Sequence, residues 1–199
     1  MIWVDLKGEE QFGRITSWLY STLASGYNNE LYGMAVCDIL RSRARQILDV
    51  GTGPAGLPIA LAKAGVNGRQ ISLYAIDPSK DMLNIARRRA KGLGIRFAQG
   101  YSLHVPFNKK FDIIVSSLSF HHWAHKGESL KYLSRFLAPR GEIRIYEYKK
   151  HSHGILGLLA GSHSMSPEEM RNAAKGTGLG TKRIIEHNGI LCAVYVKEG

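Results

Sequence analysis

Short apolar runs alternate with amphipathic segments along most of the chain. The apolar runs are rich in isoleucine, leucine and valine, and they occupy residues 47–50, 71–76, 95–99, 111–116 and 142–148. Segments with apolar side chains at helical spacing lie between them, such as residues 81–91, which Gly92 ends. Because this alternation is typical of helix-covered parallel sheets, the pattern predicts an α/β fold with a doubly wound sheet and helices on both faces.

The two ends of the chain follow different patterns. Residues 1–45 show helical periodicity and predict an N-terminal helical cap. Near the other end, two β-like runs flank Asn188-Gly189, and this dipeptide predicts an antiparallel hairpin. We therefore expect a single domain over residues 1–199. Its expected parts are the cap at 1–45, a ligand-binding core at 46–148, a short lid at 149–166, and a helix with the terminal hairpin at 167–199.

Composition narrows the class of protein. The chain has 199 residues, of which 44% are hydrophobic, and no apolar run is long enough to span a bilayer. Its start lacks the basic and apolar regions of a secretory signal. The two cysteines, Cys37 and Cys192, form neither a disulfide framework nor a metal-binding motif. These features predict a cytoplasmic, reduced protein without a bound metal, and they indicate no oligomeric state.

The formal net charge of +11 raises the question of a nucleic-acid partner. Basic residues cluster at 41–45 and 87–91, but exposed aromatic residues are not interleaved with them. The second cluster also lies where a predicted helix ends, a position that favours cations. We predict that the charge belongs to solvated faces, and nucleic-acid binding is kept as an alternative.

The segment at residues 47–56 carries the clearest chemical signal. An apolar strand leads into three glycines, Gly51, Gly53 and Gly56, and a helical segment follows. Glycine permits positive φ and a close approach of ligand to backbone. The helix start adds unpaired N–H groups and the positive end of a dipole. This strand–loop–helix context predicts a ligand-binding loop, whereas the alternative is a tight turn without a ligand.

Several polar side chains follow the other predicted strands. Asp77 ends the second strand, and residues 100–102 and 116–122 follow the third and fourth strands. Because ligands of open parallel sheets bind at the carboxyl ends of the strands, these residues should line one edge. Asp49, just before the glycines, would repel an anionic pyrophosphate and would favour a ligand with positive charge.

This combination resembles the class I S-adenosylmethionine-dependent methyltransferases, which have a Rossmann-like fold, over residues 47–148. The resemblance implies S-adenosylmethionine as cofactor and a loop around its methionine part, and it makes Asp77 the ribose-binding acid. Pro78 and Met82 would flank the adenine. The remaining contacts that we predict for the cofactor come from the loops after the first, third and fourth strands: Asp49, Gly51, Thr52, Gly53, Gly56, Gly100, Tyr101, Ser102, Ser116 and Ser117. Tyr101 departs from the family, which commonly has Asp there.

Within the class, residues 117–122 and 20–27 look most like the ubiquinone/menaquinone-biosynthesis methyltransferases, and we predict substrate contacts from Tyr20 and Tyr27. The predicted reaction is methyl transfer to a small or medium-sized organic substrate. His122, or else His121, is the candidate general base, because histidine titrates near neutral pH. In an extended loop the two side chains would point to opposite sides, so only one is expected to face the site.

Three alternative functions stay open at this stage. An RNA or protein methyltransferase would account for the basic charge. A nicotinamide-dependent oxidoreductase is compatible with the glycine spacing, although Asp49 and the terminal hairpin argue against it. A binding module that keeps the fold without catalysis is the third.

Overall fold

The computed structural model describes residues 28–64, 71–150 and 164–199, which build an eight-stranded sheet and the helices around it. The helices are α1 Asn29–Arg41, α2 Gly56–Ala64, α3 Lys80–Arg89, α4 Lys126–Ser134 and α5 Pro167–Ala173. The strands are β1 Gln46–Val50, β2 Ser72–Asp77, β3 Arg96–Gln99, β4 Phe111–Ser117, β5 Leu137–Lys149, β6 Ser164–Met165, β7 Leu179–His187 and β8 Ile190–Lys197.

The strand order is β3-β2-β1-β4-β5-β8-β7, and β6 pairs with β5. Strands β1 to β5 are parallel to their neighbours, whereas β8 is antiparallel to both β5 and β7. The predicted doubly wound, mostly parallel sheet with an antiparallel C-terminal hairpin is confirmed. The order reverses between β1 and β4, and ligands of such sheets bind at this switch point.

Two apolar layers cover the sheet, because successive side chains of a strand point to opposite faces. On β1, Leu48 packs into the layer with Trp123 and Leu130, whereas Ile47 packs into the layer with Leu31 and Leu57. Burying a side chain of this size contributes about 1.5–3 kcal/mol. No helix among the described residues is long and apolar enough to cross a membrane.

The fourth helix and the fifth strand begin earlier than their sequence patterns suggest. The apolar run at residues 130–137 predicts a helix there, but α4 covers Lys126–Ser134, and Leu137 already pairs with Phe111 of β4. The predicted turn at residues 138–141 is a bulge inside β5, with Arg140 at a φ of +62°. Pro139 has no N–H to donate, and a bulge tolerates this loss.

Local signals at the C-terminal end are confirmed. Asn188 and Gly189 both have positive φ, +47° and +74°, as a tight hairpin turn with the twist of its strands requires. Helix α5 begins with a capping box, in which the Ser166 hydroxyl accepts from the Glu169 N–H at 3.1 Å. Most of the predicted cap and lid lies outside the described residues, and so do Tyr20 and Tyr27.

Candidate cofactor site

The glycine loop joins β1 to α2 at the switch point of the sheet. The N–H groups of Gly51 and Thr52 both donate to the carbonyl of Ile76 on β2, at 2.9 and 3.0 Å. Gly51 and Gly53 have φ values of +74° and +52°, which residues other than glycine rarely adopt. The loop is therefore fixed to the neighbouring strand by its own backbone.

Ser119 connects the strand that leads into this loop to the segment that follows β4 by a side-chain hydrogen bond. Its hydroxyl donates to the carbonyl of Val50 at 3.0 Å and lies 2.7 Å from the hydroxyl of Ser116. A Cβ atom on Gly51 would lie only 2.2 Å from the Ser119 oxygen. Gly51 is therefore required by close packing as well as by its φ. Sequence reasoning missed Ser119; the polar residues directly after β4 were the only signal.

The other two glycines of the loop differ in their surroundings. A Cβ atom on Gly53 would meet no described atom within 4 Å, so a ligand can approach the backbone at this position. On Gly56 it would lie 2.5 Å from the ring of Tyr32 in α1. Gly56 thus makes room for the tyrosine at the start of α2, and Tyr32 is a second residue that sequence reasoning missed.

Asp77 ends β2 beside the loop and is 6% exposed. Its Oδ2 atom accepts from the N–H of Gly53 at 2.7 Å, and its Oδ1 atom accepts from the N–H of Ser79 at 2.9 Å. Each oxygen of a carboxylate can accept more than one hydrogen bond, and ligand hydroxyls are suitable donors. The position predicted to bind ribose therefore also holds the glycine loop in place.

Asp49 lies beneath the loop and is 2% exposed. Neither of its carboxylate oxygens, nor the hydroxyl of Thr52, has a hydrogen-bond partner among the described residues. Burial raises the pKa of Asp49 to about 7; the nearby Thr52 hydroxyl lowers this pKa and the charge of Asp77 raises it. Such an unsatisfied carboxyl is costly unless a ligand supplies charge or donors.

The segment after β3 turns back on itself. Tyr101 and His104 exchange backbone hydrogen bonds of 3.0 and 2.9 Å, and a Cβ atom on Gly100 would come within 2.6 Å of the His104 carbonyl. Ser102 is buried and accepts from the hydroxyl of Ser129 at 2.8 Å. The Ser102 hydroxyl therefore points to α4 and the interior.

Four further predicted contact residues lie at strand ends or on α3. Pro78 is half-buried after β2, and its carbonyl accepts from the side chain of Gln99 at 2.9 Å. Met82 is buried on α3, while Ser116 and Ser117 are buried at the end of β4. All four therefore lie on elements that end or begin at the carboxyl edge of the parallel strands.

The two candidate histidines lie in a 3₁₀ turn, Phe120–His122, directly after β4. The loop is not extended here, so the alternation predicted for an extended loop does not apply, and the turn brings the two rings together with their centroids 4.0 Å apart. His121 Nδ1 lies 2.8 Å from Glu147 Oε2, and the His121 N–H donates to Glu147 Oε1 at 3.2 Å. Sequence reasoning missed Glu147, because it lies on β5, 26 residues further along the chain.

Lys126 closes this cluster at the start of α4. Its ammonium group donates to the carbonyls of His121 and Trp123 at 3.1 and 2.9 Å. Partial burial lowers the pKa of Lys126, and the negative charge of Glu147 opposes this change. The lysine thereby fixes the backbone of the turn that carries both histidines.

The arrangement favours a particular class of ligand. Two carboxyl groups, Asp49 and Asp77, flank a glycine loop with an accessible backbone. A pyrophosphate would face both of their negative charges, whereas a ligand with a cationic part and a diol would satisfy them. A histidine with a buried carboxylate partner stands at the neighbouring strand end, where it can exchange a proton with a second ligand.

Comparisons with known proteins agree with this chemistry. Residues 47–141 match the family described as Methyltransferase domain. A demethylmenaquinone methyltransferase of Deinococcus radiodurans is 28% identical over 144 residues, which cover 71% of this chain and 58% of the relative. A protein of the same name from Thermus thermophilus is 32% identical over 123 residues, covering 60% and 54%. The chain thus spans little more than half the length of these relatives.

Solved structures give the same fold. A structure described as a SAM-dependent methyltransferase from Aquifex aeolicus superposes with a TM-score of 0.73. The match covers 93% of this chain and 98% of that one at 21% identity, so it bears on the fold alone.

Proposed function

We propose that the chain is a class I S-adenosylmethionine-dependent methyltransferase, as its sequence resemblance predicts, and that it transfers a methyl group from S-adenosylmethionine to a small or medium-sized organic acceptor. The observation that carries this proposal is the buried carboxyl of Asp49 beneath the glycine loop, which has no hydrogen-bond partner among the residues that the structure describes. A cationic ligand with N–H donors would satisfy it, whereas the anionic pyrophosphate that a nicotinamide dinucleotide places at such a loop would not.

The described residues fit this cofactor. No described atom would obstruct the methionine part at Gly53, and within the described part of the chain Asp49 and Thr52 offer polar atoms without a hydrogen-bond partner. The carboxylate of Asp77 is the proposed acceptor for the ribose hydroxyls. Pro78, Met82 and Tyr101 lie on the segments that would flank the adenine. Gly51, Gly56 and Gly100 shape the backbone of these segments, while Ser116 and Ser117 end β4 at the switch point.

When bound, S-adenosylmethionine supplies a methyl group that is activated by its attachment to a positively charged sulfur. The protein has to align the acceptor with that group and to exclude water. The backbone bonds to Ile76 and the bond of Ser119 to Val50 hold the loops after β1 and β4 in fixed positions. Such rigid positioning is what the reaction requires of the protein.

We further propose His121 as the group that removes a proton from an acidic acceptor, in place of His122 as the first choice. Glu147 favours a proton on Nδ1 of His121, which leaves Nε2 with a lone pair. His122 lies in the same turn and becomes the second candidate. Tyr20 and Tyr27 remain predicted substrate contacts.

Small organic acceptors are favoured over RNA by the placement of charge. Arg43, Arg45, Lys109 and Lys110 precede β1 and β4, so they lie at the edge of the sheet opposite the glycine loop. The names of the two demethylmenaquinone methyltransferases support an acceptor with an aromatic or quinone-like ring. The cytoplasmic location and the single-domain division remain predictions.

Calorimetry tests the cofactor assignment. The wild-type chain should bind S-adenosylmethionine and S-adenosylhomocysteine and should not bind NAD. Losing a charged hydrogen-bond partner costs roughly 1.5–3 kcal/mol, so Asp77→Ala should weaken binding about tenfold or more. Asp112→Asn is the matched control, because Asp112 accepts from the N–H groups of Arg45 and Gln46 at the opposite edge. Unchanged affinity in Asp77→Ala, or tight NAD binding, would overturn the assignment.

The acceptor can then be sought with labelled S-adenosylmethionine and fractionated cell extract. Label in a small-molecule or lipid fraction supports the proposal. Label in RNA or protein instead supports the alternative of a macromolecular substrate.

A further inference from the structure

A groove of about 560 Å³ runs between α1 and the terminal hairpin, away from the glycine loop. Helix α1 forms one wall, and β7 with Cys192 of β8 forms the other. The lining residues from the helix are Glu30, Gly33, Met34, Cys37, Asp38 and Arg41. Their spacing of three or four residues places them on one side of the helix. No residue of the proposed cofactor site lines this groove.

The middle of the groove is apolar and open. Gly33 and Cys37 are exposed on α1, and Ile185 of β7 lines the groove with them. Ile185 is 38% exposed, and it is the only large apolar side chain among the described residues that is classed as exposed. A Cβ atom on Gly33 would meet nothing within 4 Å. Glycine inside a helix costs about 1 kcal/mol relative to alanine, and no described contact requires it here. Its effect is to let another body approach the helix backbone closely.

Charges of opposite sign mark the two ends of the same helix face. Glu30 lies in the first turn of α1 and Arg41 in its last, roughly 16 Å apart along the axis. Glu30 accepts a hydrogen bond from Asn188 at 2.7 Å, but neither Glu30 nor Arg41 forms an ion pair with another described residue. A helix that carries the same sequence in the opposite direction would complement both charges.

We infer that this groove is the contact surface of a symmetric dimer, in which α1 of one copy lies antiparallel against α1 of a second copy. A two-fold axis between residues 35 and 36 would set Glu30 opposite Arg41 of the second copy, and the pair would occur twice. Met34 would then face Cys37 of the second copy across the apolar middle. The antiparallel direction also pairs the opposite ends of the two helix dipoles.

Sedimentation velocity over a range of protein concentrations tests the inference on the full chain. The wild type should form a species of twice the 22.1 kDa of one chain. Glu30→Arg and Arg41→Glu should each place like charges together twice and raise the dissociation constant about tenfold or more. The double variant Glu30→Arg/Arg41→Glu restores opposite charges and should recover most of the wild-type affinity.

Two matched controls change the same charges outside the groove. Arg43→Glu follows α1 and Glu168→Arg lies on α5, and both should leave the dimer unchanged. Circular dichroism verifies that every variant is folded. A wild type that stays monomeric, a dimer that tolerates both single changes, or a double variant that is as weak as the singles would each overturn the inference. None of these results depends on cofactor binding, so failure here is distinguishable from failure of the proposed function.

Discussion

His121 Nδ1 lies 2.8 Å from Oε2 of Glu147, a carboxylate with no solvent exposure. The same carboxylate accepts the backbone N–H of His121 through its other oxygen at 3.2 Å. Two contacts from one rigid group fix both the position of the ring and the nitrogen that carries its proton. In the neutral ring, Nε2 is then the nitrogen that carries the lone pair.

We predict that His121→Ala lowers turnover by roughly 10²–10⁴-fold while cofactor affinity stays within a factor of about two, because a general base contributes this much to the rate. Glu147→Gln should lower turnover less, since the ring remains present but its orientation and tautomer are no longer fixed. Steady-state kinetics with an identified acceptor and calorimetry with the cofactor measure the two effects separately.

A second readout does not require the acceptor. NMR of nitrogen-15-labelled protein should show that the neutral ring of His121 carries its proton on Nδ1. The ring-nitrogen signals of His121 should change in Glu147→Gln. His122→Ala is the matched control, since its ring is adjacent, and it should change turnover much less. Normal turnover in His121→Ala would remove the base assignment, and a large loss confined to His122→Ala would transfer the role to His122.

We predict that the buried carboxylate of Asp49 lowers the free energy of unfolding at neutral pH and strengthens the binding of S-adenosylmethionine. Its pKa is raised from 3.8 to about 7 in the folded chain, so the folded state holds the proton more tightly than the unfolded state. This contribution to stability is complete below about pH 4 and is lost as the pH rises through 7. Asp49→Asn lacks the charge, so its stability relative to wild type should rise by roughly 1–3 kcal/mol between pH 5 and pH 8.

Urea denaturation of both proteins at the two pH values measures this difference. The same variant should bind S-adenosylmethionine at least about tenfold more weakly, because the cationic part loses its charged partner. Asp112→Asn, which removes a carboxylate that accepts two backbone N–H groups, should show no such gain at pH 8. A relative stability of Asp49→Asn that does not change with pH would contradict the raised pKa.

The parts of the structure that were predictable from sequence depend on local signals. The strand, glycines and helix start at residues 47–56 are contiguous, and each constrains the next one. Asn188-Gly189 fixes a hairpin by itself, because two successive positive φ values select a tight turn. The carboxyl edge of the sheet then follows from topology, and it brings Asp77 beside the loop without further information.

The parts that were missed depend on contacts between distant segments. The hydrogen bond between Ser119 and Val50 joins residues that are 69 positions apart in the sequence, and the contact between Glu147 and His121 joins residues that are 26 positions apart. Neither pair has a periodicity or a motif that a single sequence reveals. The start of β5 was misplaced for a related reason: Leu137 continues an apolar helical pattern, but pairing with Phe111 places it in the sheet. Tertiary context overrides local propensity there.

Alanine substitutions at Gly51 and Gly53 separate the cost of a steric overlap from the cost of a positive φ. Gly51→Ala meets both problems, a φ of +74° and a Cβ atom 2.2 Å from the Ser119 oxygen, whereas Gly53→Ala meets only a φ of +52°. We expect Gly51→Ala to lower the free energy of unfolding by roughly 2–4 kcal/mol and Gly53→Ala by about 1 kcal/mol.

Chemical denaturation of the single variants and of Gly51→Ala/Ser119→Gly measures the two contributions. Removing the serine side chain relieves the overlap, so the double variant should be more stable than Gly51→Ala although the positive φ remains. Equal losses for Gly51→Ala and Gly53→Ala would show that the contact with Ser119 does not constrain the loop.

The basic charge should support only weak and unselective association with RNA. Arg87 and Arg88 lie in the last turn of α3, which runs back from the carboxyl edge of β2. Fluorescence anisotropy with transfer RNA should show binding that weakens steeply with salt and is slight at near-physiological salt. The informative variant is Arg87→Ala/Arg88→Ala/Lys91→Ala, which spares Arg89 because its side chain donates to the carbonyl of Pro54 at 3.1 Å. Tight binding that survives this salt and disappears in the variant would overturn the prediction and favour an RNA substrate.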